Sequence, residues 1–424
     1  MKKIFALLLG LIILLSVVGC NKTQTESRID TSSDEQITSS NNSSQLVSES
    51  ETQSSEQEES KAPSTPSLVT QNNSSAVQSN PSSQASAPSA QEEKKDVGLN
   101  DPMVKWMGRA VVEDGTVTLD WSGMGFEICV KGGSVKAKIF SLDNGDTNCV
   151  WVGVYADGLQ IDKIRLQSGT KWYTLIEDLP KDRQTRIKLV KLSEAQQGTA
   201  IIHALEADGT LVAPVTKPRR IVWIGDSITA GFGVHAKADD PFTTETQDIT
   251  ATYGYLLSEE FNAEAHFIAA SGHGVATSNG GSTTEGLLPK IYSKLRFSSS
   301  DTQKYDFNRF PADLIVVNLG TNDVAGGSDS KRLRDGIRAF LGELRRCNPK
   351  STIVWVYGFM IDGKMNDIKQ EVENFAAIDK NTYFVKANKI SGSGEIGAVG
   401  HPSAAAHKRF SKELKNELTG ILGW

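Results

Sequence analysis

Basic charge, cysteine and aromatic residues are all scarce in this chain. Lys and Arg number 45 against 51 Asp and Glu, for a formal charge of −6. There is no cationic excess to neutralise phosphates, so nucleic acid is not an expected partner. The four cysteines, Cys20, Cys129, Cys149 and Cys347, fall at irregular spacings that give no zinc pattern. Cys129 and Cys149 lie in neighbouring predicted strands and are close enough in sequence to pair, but buried free thiols are the favoured reading. The sequence carries no motif for a metal or an organic cofactor, and none is expected. Long apolar runs are also missing except at the start, which excludes a polytopic membrane protein.

That one run, "MKKIFALLLGLIILLSVVGC", places two lysines before a short apolar stretch and small residues before Cys20. This is the layout of an export signal. Val17-Val18-Gly19-Cys20 resembles a bacterial lipobox, which implies that Cys20 becomes a lipid-modified first residue and that the mature chain sits on the outer face of the cell membrane. From Asn21 to about residue 100 the chain is dominated by Ser, Gln, Thr, Asn and Glu. Such a segment cannot bury enough apolar surface to offset its ordering entropy and reads as a disordered tether. A flexible coil of about 75 residues spans on the order of 50 Å.

Ordered sequence begins near Pro102. Over 101–215 the apolar residues alternate with polar ones in short runs, "TVTLDW", "GFEICVK", "SVKAKIF", "CVWVGVYAD", "KWYTLIED", "TRIKLVKL" and "AIIHALEA", broken by "EDG", "KGG", "DNGD" and "ADG". The period of two predicts an antiparallel β-sandwich, a jelly roll in type. Trp106, Trp121, Trp151 and Trp172 are read as core or interdomain packing rather than as a sugar platform. Over 216–424 continuous apolar runs alternate with helical stretches, which predicts an α/β domain with a doubly wound, five-stranded parallel sheet.

Ligands bind such sheets beyond the carboxyl ends of their strands. Four of those ends carry chemistry. Gly225-Asp226-Ser227 follows "IVWI", where a serine on a strand-to-helix turn is exposed and near a helix N-terminus; a helix cap is its other reading. Ser271-Gly272-His273-Gly274 follows "HFIAA", where Gly272 frees an N–H to meet a reacting oxygen; turn closure is the alternative, with His273 an ordinary loop residue. Leu319-Gly320-Thr321-Asn322-Asp323 follows "LIVVN", and Asn322 offers an amide donor or makes a simple turn. His401-Pro402 precedes the last helix, and the proline keeps His401 in a loop suited to a general base. His407, inside that helix, reads as packing.

Together and in this order the four blocks resemble the SGNH (GDSL-type) hydrolase superfamily. The resemblance implies Ser227 as nucleophile, His401 as base, and Ser227, Gly272 and Asn322 as the oxyanion hole. "WMGRAVVEDGTVTLDWSGMGFEICVKGG", "VYADG" and "GHPSAAAHKRF" resemble carbohydrate esterase family two, whose members join a jelly roll to an SGNH domain and deacetylate xylan and glucomannan. The resemblance therefore implies a serine acetylesterase acting on acetylated polysaccharide, and a monomer is expected.

Two departures stand out. The position three before His401, where SGNH enzymes commonly have Asp, is Ala398. A backbone carbonyl orients His401 in the favoured reading, and Glu395 is the alternative orienter. The segment "VATSNGGSTTEG" after Gly274 has no aromatic residue to stack on a sugar. Rival readings are an esterase on cell-wall glycan or short-chain lipid esters, with its pocket near Phe232 and Phe359, and a glycan-binding surface lipoprotein with an inactive hydrolase half.

Overall fold

The computed structural model describes residues 95–297 and 302–424. The export signal, Cys20 and nearly all of the predicted tether lie outside the described residues. The antiparallel half holds β1 (Lys95–Val97), β2 (Lys105–Met107), β3 (Val112–Glu113), β4 (Thr116–Leu119), β5 (Gly125–Ser141), β6 (Trp151–Ala156), β7 (Leu159–Arg165), β8 (Gly169–Lys191), β9 (Ala200–Ala207) and β10 (Thr210–Val212).

These ten strands form one sheet, and two long strands, β5 and β8, run through its middle. The first part of β5 pairs with the end of β8, with β2 and with β10, and β8 passes on to β6 and β7; the second part of β5 pairs with the start of β8 and with β9, which carries β4 and β1. "KGG", expected to break two strands apart, is instead a bulge within β5 between Lys131 and Val135. Gly132 and Gly133 stand at φ 76° and 73°. A Cβ on Gly133 would meet the backbone of Gly209 at 2.7 Å, so only glycine lets the strand bend there. In the same way "KWYTLIED" and "TRIKLVKL" are one strand, β8.

The α/β half runs β11 (Arg219–Gly225), α1 (Ser227–Ala230), α2 (Tyr253–Glu260), β12 (Ala263–Ala269), α3 (Leu288–Tyr292), β13 (Leu314–Asn318), α4 (Thr321–Ala325), α5 (Ser330–Cys347), β14 (Thr352–Tyr357), α6 (Met365–Ile378), β15 (Thr382–Lys386) and α7 (Ala404–Leu422). Its sheet is fully parallel in the order β12-β11-β13-β14-β15. Alternate side chains explain the continuous apolar runs. Val222 and Ile224 of β11 pack with α5 and α6 on one face, while Ile221 and Trp223 pack with α2 and α7 on the other. In α5, Asp329 caps the first turn by accepting the Arg332 N–H at 2.8 Å, and Leu333, Ile337, Phe340, Leu341 and Leu344 repeat at helical spacing as its buried stripe.

The two halves share polar contacts as well as core. The Trp121 indole donates to the Leu295 carbonyl at 3.0 Å, and the buried Arg109 guanidinium donates to the Tyr292 carbonyl at 2.6 Å beneath the Tyr305 ring. Trp121 is thus interdomain packing. Trp106 and Trp151 are half-buried, and Trp172 is 44% exposed. Cys129 and Cys149 are separate buried thiols, the latter 2.9 Å from the Thr244 hydroxyl.

Candidate active site

The strand order reverses between β11 and β13, which opens a crevice beyond their carboxyl ends. Ser227 and Asn322 stand just after those two strands, and Ser271-Gly272 follows β12 beside them.

Ser227 begins α1. Asp226 precedes it as the cap, its carboxylate accepting the Ile228 N–H at 3.0 Å, and Gly231 ends the turn at φ 74°. The Ser227 N–H is first in its helix and so has no intrahelical acceptor. Gly272 sits at φ 75°, where a side chain is disfavoured, and its N–H has no hydrogen bond among the described residues. Asn322 lies in the first turn of α4. Its amide donates to the His273 carbonyl at 2.9 Å and, more weakly, to Asp226 Oδ2 at 3.3 Å. The longer contact is the weaker of the two.

His401 arrives from the other end of the chain. Its Nε2 lies 2.9 Å from Ser227 Oγ, and its Nδ1 lies 3.2 Å from the Ala398 carbonyl and 3.3 Å from that of Val399. A carbonyl only accepts, so Nδ1 holds the proton and Nε2 is left to accept from the serine. Burial pulls the imidazole below its ordinary range, and the two carbonyl bonds partly offset this. The ring is therefore held toward its neutral form at neutral pH.

Glu395, the alternative orienter, is placed elsewhere. Its carboxylate binds Arg409 at 2.5 and 2.8 Å and accepts the Ser391 N–H at 2.8 Å. The bidentate pull of Arg409 outcompetes a neutral ring for those oxygens, so the carbonyls orient His401. Phe359 also differs from expectation. It is buried, stacks on Phe410 at 4.0 Å, and belongs to the core behind α7 rather than to a pocket wall. Phe232 does face the site, with its ring 4.4 Å from that of His401 and stacked on Phe242 at 3.8 Å. His407 is fully in the core, accepts the Tyr253 N–H through Nδ1, and is driven down to about 3 by burial.

Two carboxylates at the site had no role in the sequence reading beyond turn chemistry. Burial pushes Asp226 up to about 7, with Asp323 nearby adding to the effect. Asp323 accepts the N–H groups of Val275, Ala276 and Thr277 at 2.9, 2.7 and 2.8 Å. That triple contact fixes the segment after Gly274, and no signal in the local sequence distinguishes it from an ordinary Asn-Asp turn.

Residues 223–409 match the GDSL-like lipase/acylhydrolase family, and residues 106–214 match the carbohydrate esterase 2 N-terminal domain. An acetylxylan esterase / glucomannan deacetylase of Cellvibrio japonicus (strain Ueda107) is 25% identical over 334 residues, 77% of this chain and 91% of that protein. A solved family two carbohydrate esterase from Clostridium thermocellum, in complex with cellohexaose, superposes with a TM-score of 0.70 at 26% identity over 76% of this chain and 99% of that one. An acetyl xylan esterase from the rumen bacterium Butyrivibrio proteoclasticus superposes at 0.72 and 22% identity, covering 78% and 100%.

Proposed function

This chain joins a carbohydrate esterase 2 N-terminal domain to a GDSL-like lipase/acylhydrolase domain and is a carboxylic ester hydrolase; from that premise we propose that it removes O-acetyl groups from extracellular polysaccharide of the xylan or glucomannan type through an acyl-enzyme. The observation that carries this reading is the 2.9 Å contact between Ser227 Oγ and His401 Nε2 at the reversal of the sheet.

His401 takes the Ser227 proton as Oγ attacks the acetyl carbonyl. The oxyanion is held by the N–H groups of Ser227 and Gly272 and by the Asn322 amide. On collapse of the tetrahedral adduct, His401 gives the proton to the leaving sugar oxygen. Water, deprotonated in turn by His401, then attacks the acetyl-serine; the acyl–Oγ bond breaks, His401 returns the proton to Ser227 Oγ, and acetate is released. Asp226 caps the start of α1, and the His273 carbonyl keeps Asn322 in register for both steps while the weaker Asn322–Asp226 contact is given up to the oxyanion.

The test is acetate release from acetylated xylan, acetylated glucomannan and O-acetylated peptidoglycan, with Ser227→Ala as the blank. Release from the plant polymers that vanishes in the blank supports the reading. Release from peptidoglycan alone would move the substrate to the cell wall, and preference for an octanoyl over an acetyl nitrophenyl ester would remove the polysaccharide reading. We further propose attachment to the outer face of the membrane through Cys20, supported by the lipobox-like Val17-Val18-Gly19-Cys20. Fatty-acid labelling that persists in Cys20→Ala would exclude it.

A further inference from the structure

We propose that Glu194, supplied by the sandwich half, is a positioning residue for the oxyanion loop, so that the α/β half relies on its neighbour for catalytic geometry. The inference rests on the serine-esterase reading above.

Glu194 follows β8 and is fully buried. It stands at the cap position of the short turn Ala195–Gln197 with extended backbone, where a carboxylate ordinarily accepts an N–H of its own helix, yet it makes no such bond. Its oxygens cross into the α/β half instead. Oε2 accepts the Ser271 N–H at 2.7 Å, and Oε1 accepts the Ser271 hydroxyl at 2.6 Å and the Gln247 amide at 3.1 Å. Burying a carboxylate is costly, and besides the attraction of the buried Lys191 ammonium it is these charge-assisted bonds that hold it there.

The consequence falls on the next peptide. Ser271 immediately precedes Gly272, and the Ser271 carbonyl belongs to the same peptide plane as the Gly272 N–H. Glu194 fixes Ser271 from one side, while His273 Nδ1 donates to the Ser271 carbonyl at 3.1 Å. With the carbonyl held, the planar peptide leaves the Gly272 N–H one direction to point. The chain continues from the His273 carbonyl to the Asn322 amide. Gln247 extends the other arm, donating to the carbonyl of Ala230 at the end of the turn that Ser227 begins. A single sandwich carboxylate is thereby linked to the nucleophile turn and to two of the three oxyanion donors. Lys191 secures its backbone by donating to the carbonyls of Ser193 and Glu194 at 2.7 and 3.0 Å.

The decisive variant is Glu194→Gln, which keeps shape and volume but turns a donor toward Ser271 or Gln247. Its kcat on a nitrophenyl acetate, measured where circular dichroism shows native folding, should fall by about 10- to 100-fold while KM moves less than about threefold, because ångström-scale misplacement of a catalytic group costs that much. Inhibition by an alkylboronic acid, a tetrahedral adduct that uses the same donors, should weaken in parallel. A purely structural carboxylate would lower the melting temperature and leave both readouts unchanged, and that result overturns the proposal. Should Glu194→Gln fail to fold, Ser271→Ala decides: kcat reduced at constant KM supports positioning, and full kcat overturns it. Ser227→Ala is assayed alongside. Activity surviving in Ser227→Ala removes the esterase site itself, whereas activity lost there but intact in Glu194→Gln removes only the role of Glu194.

Discussion

The carbonyl of Val399 lies 3.3 Å from Nδ1 of His401, and Val399 itself stands at φ 52°, ψ 38°, in the left-handed region that β-branched residues avoid. The strained turn brings two successive carbonyls onto one imidazole nitrogen. Val399 is 61% exposed, so packing does not compel the residue type.

Val399→Gly should therefore stabilise the fold by about 0.5–1 kcal/mol, since relief of about 1–3 kcal/mol of strain exceeds the entropy that glycine adds to the unfolded chain. Urea denaturation measures this. Turnover should fall severalfold at unchanged KM, because the looser turn aims the carbonyls less well.

His401 must be neutral to accept the serine proton, and burial lowers its affinity for protons below the ordinary 6.5. The acid limb of kcat/KM should accordingly have its midpoint below 6.5, with a plateau through neutral pH. Burial also pushes Asp226 up to about 7, so the temperature dependence of the limb is the check: an imidazole has a large ionisation enthalpy and a carboxyl almost none. The linked effect on stability has the sign of a depressed group. His401 contributes fully above the unfolded value of 6.5, and that contribution is lost as pH falls through its folded value.

Glu395→Gln should leave kcat within about twofold of the parent, since the carboxylate serves Arg409 and the Ser391 N–H and does not reach His401. A loss of a hundredfold or more in nitrophenyl acetate turnover would reinstate the carboxylate as orienter.

Asn322→Ala should cost about 2.7–4 kcal/mol in the barrier, roughly a hundredfold or more in kcat, with little change in KM. Steady-state kinetics on the folded variant reads it directly. The backbone bonds of α4, from the N–H groups of Val324 and Gly326 to the carbonyls of Gly320 and Asn322, do not use the Asn322 side chain, so the helix should persist in circular dichroism.

Periodicity alone carried both layers of this protein. Alternation over 101–215 and unbroken apolar runs over 216–424 are imposed by whether one face of a strand or both are covered, and that requirement acts residue by residue, so it is written locally. The turns that carry Ser227, Gly272 and Asn322 after their strands, and His401 before α7, were legible as turns because small or helix-terminating residues stand beside each. Three things were decided only in three dimensions. The Gly132-Gly133 pair bends a strand instead of ending it because β8 continues alongside. The orientation of His401 falls to the carbonyls of Ala398 and Val399 because Arg409, which α7 brings back beside Glu395, takes its carboxylate. Glu194 reaches Ser271 across 77 residues of chain. Such choices depend on which partner a charged group meets first in space, and a linear sequence records the group but not its neighbour.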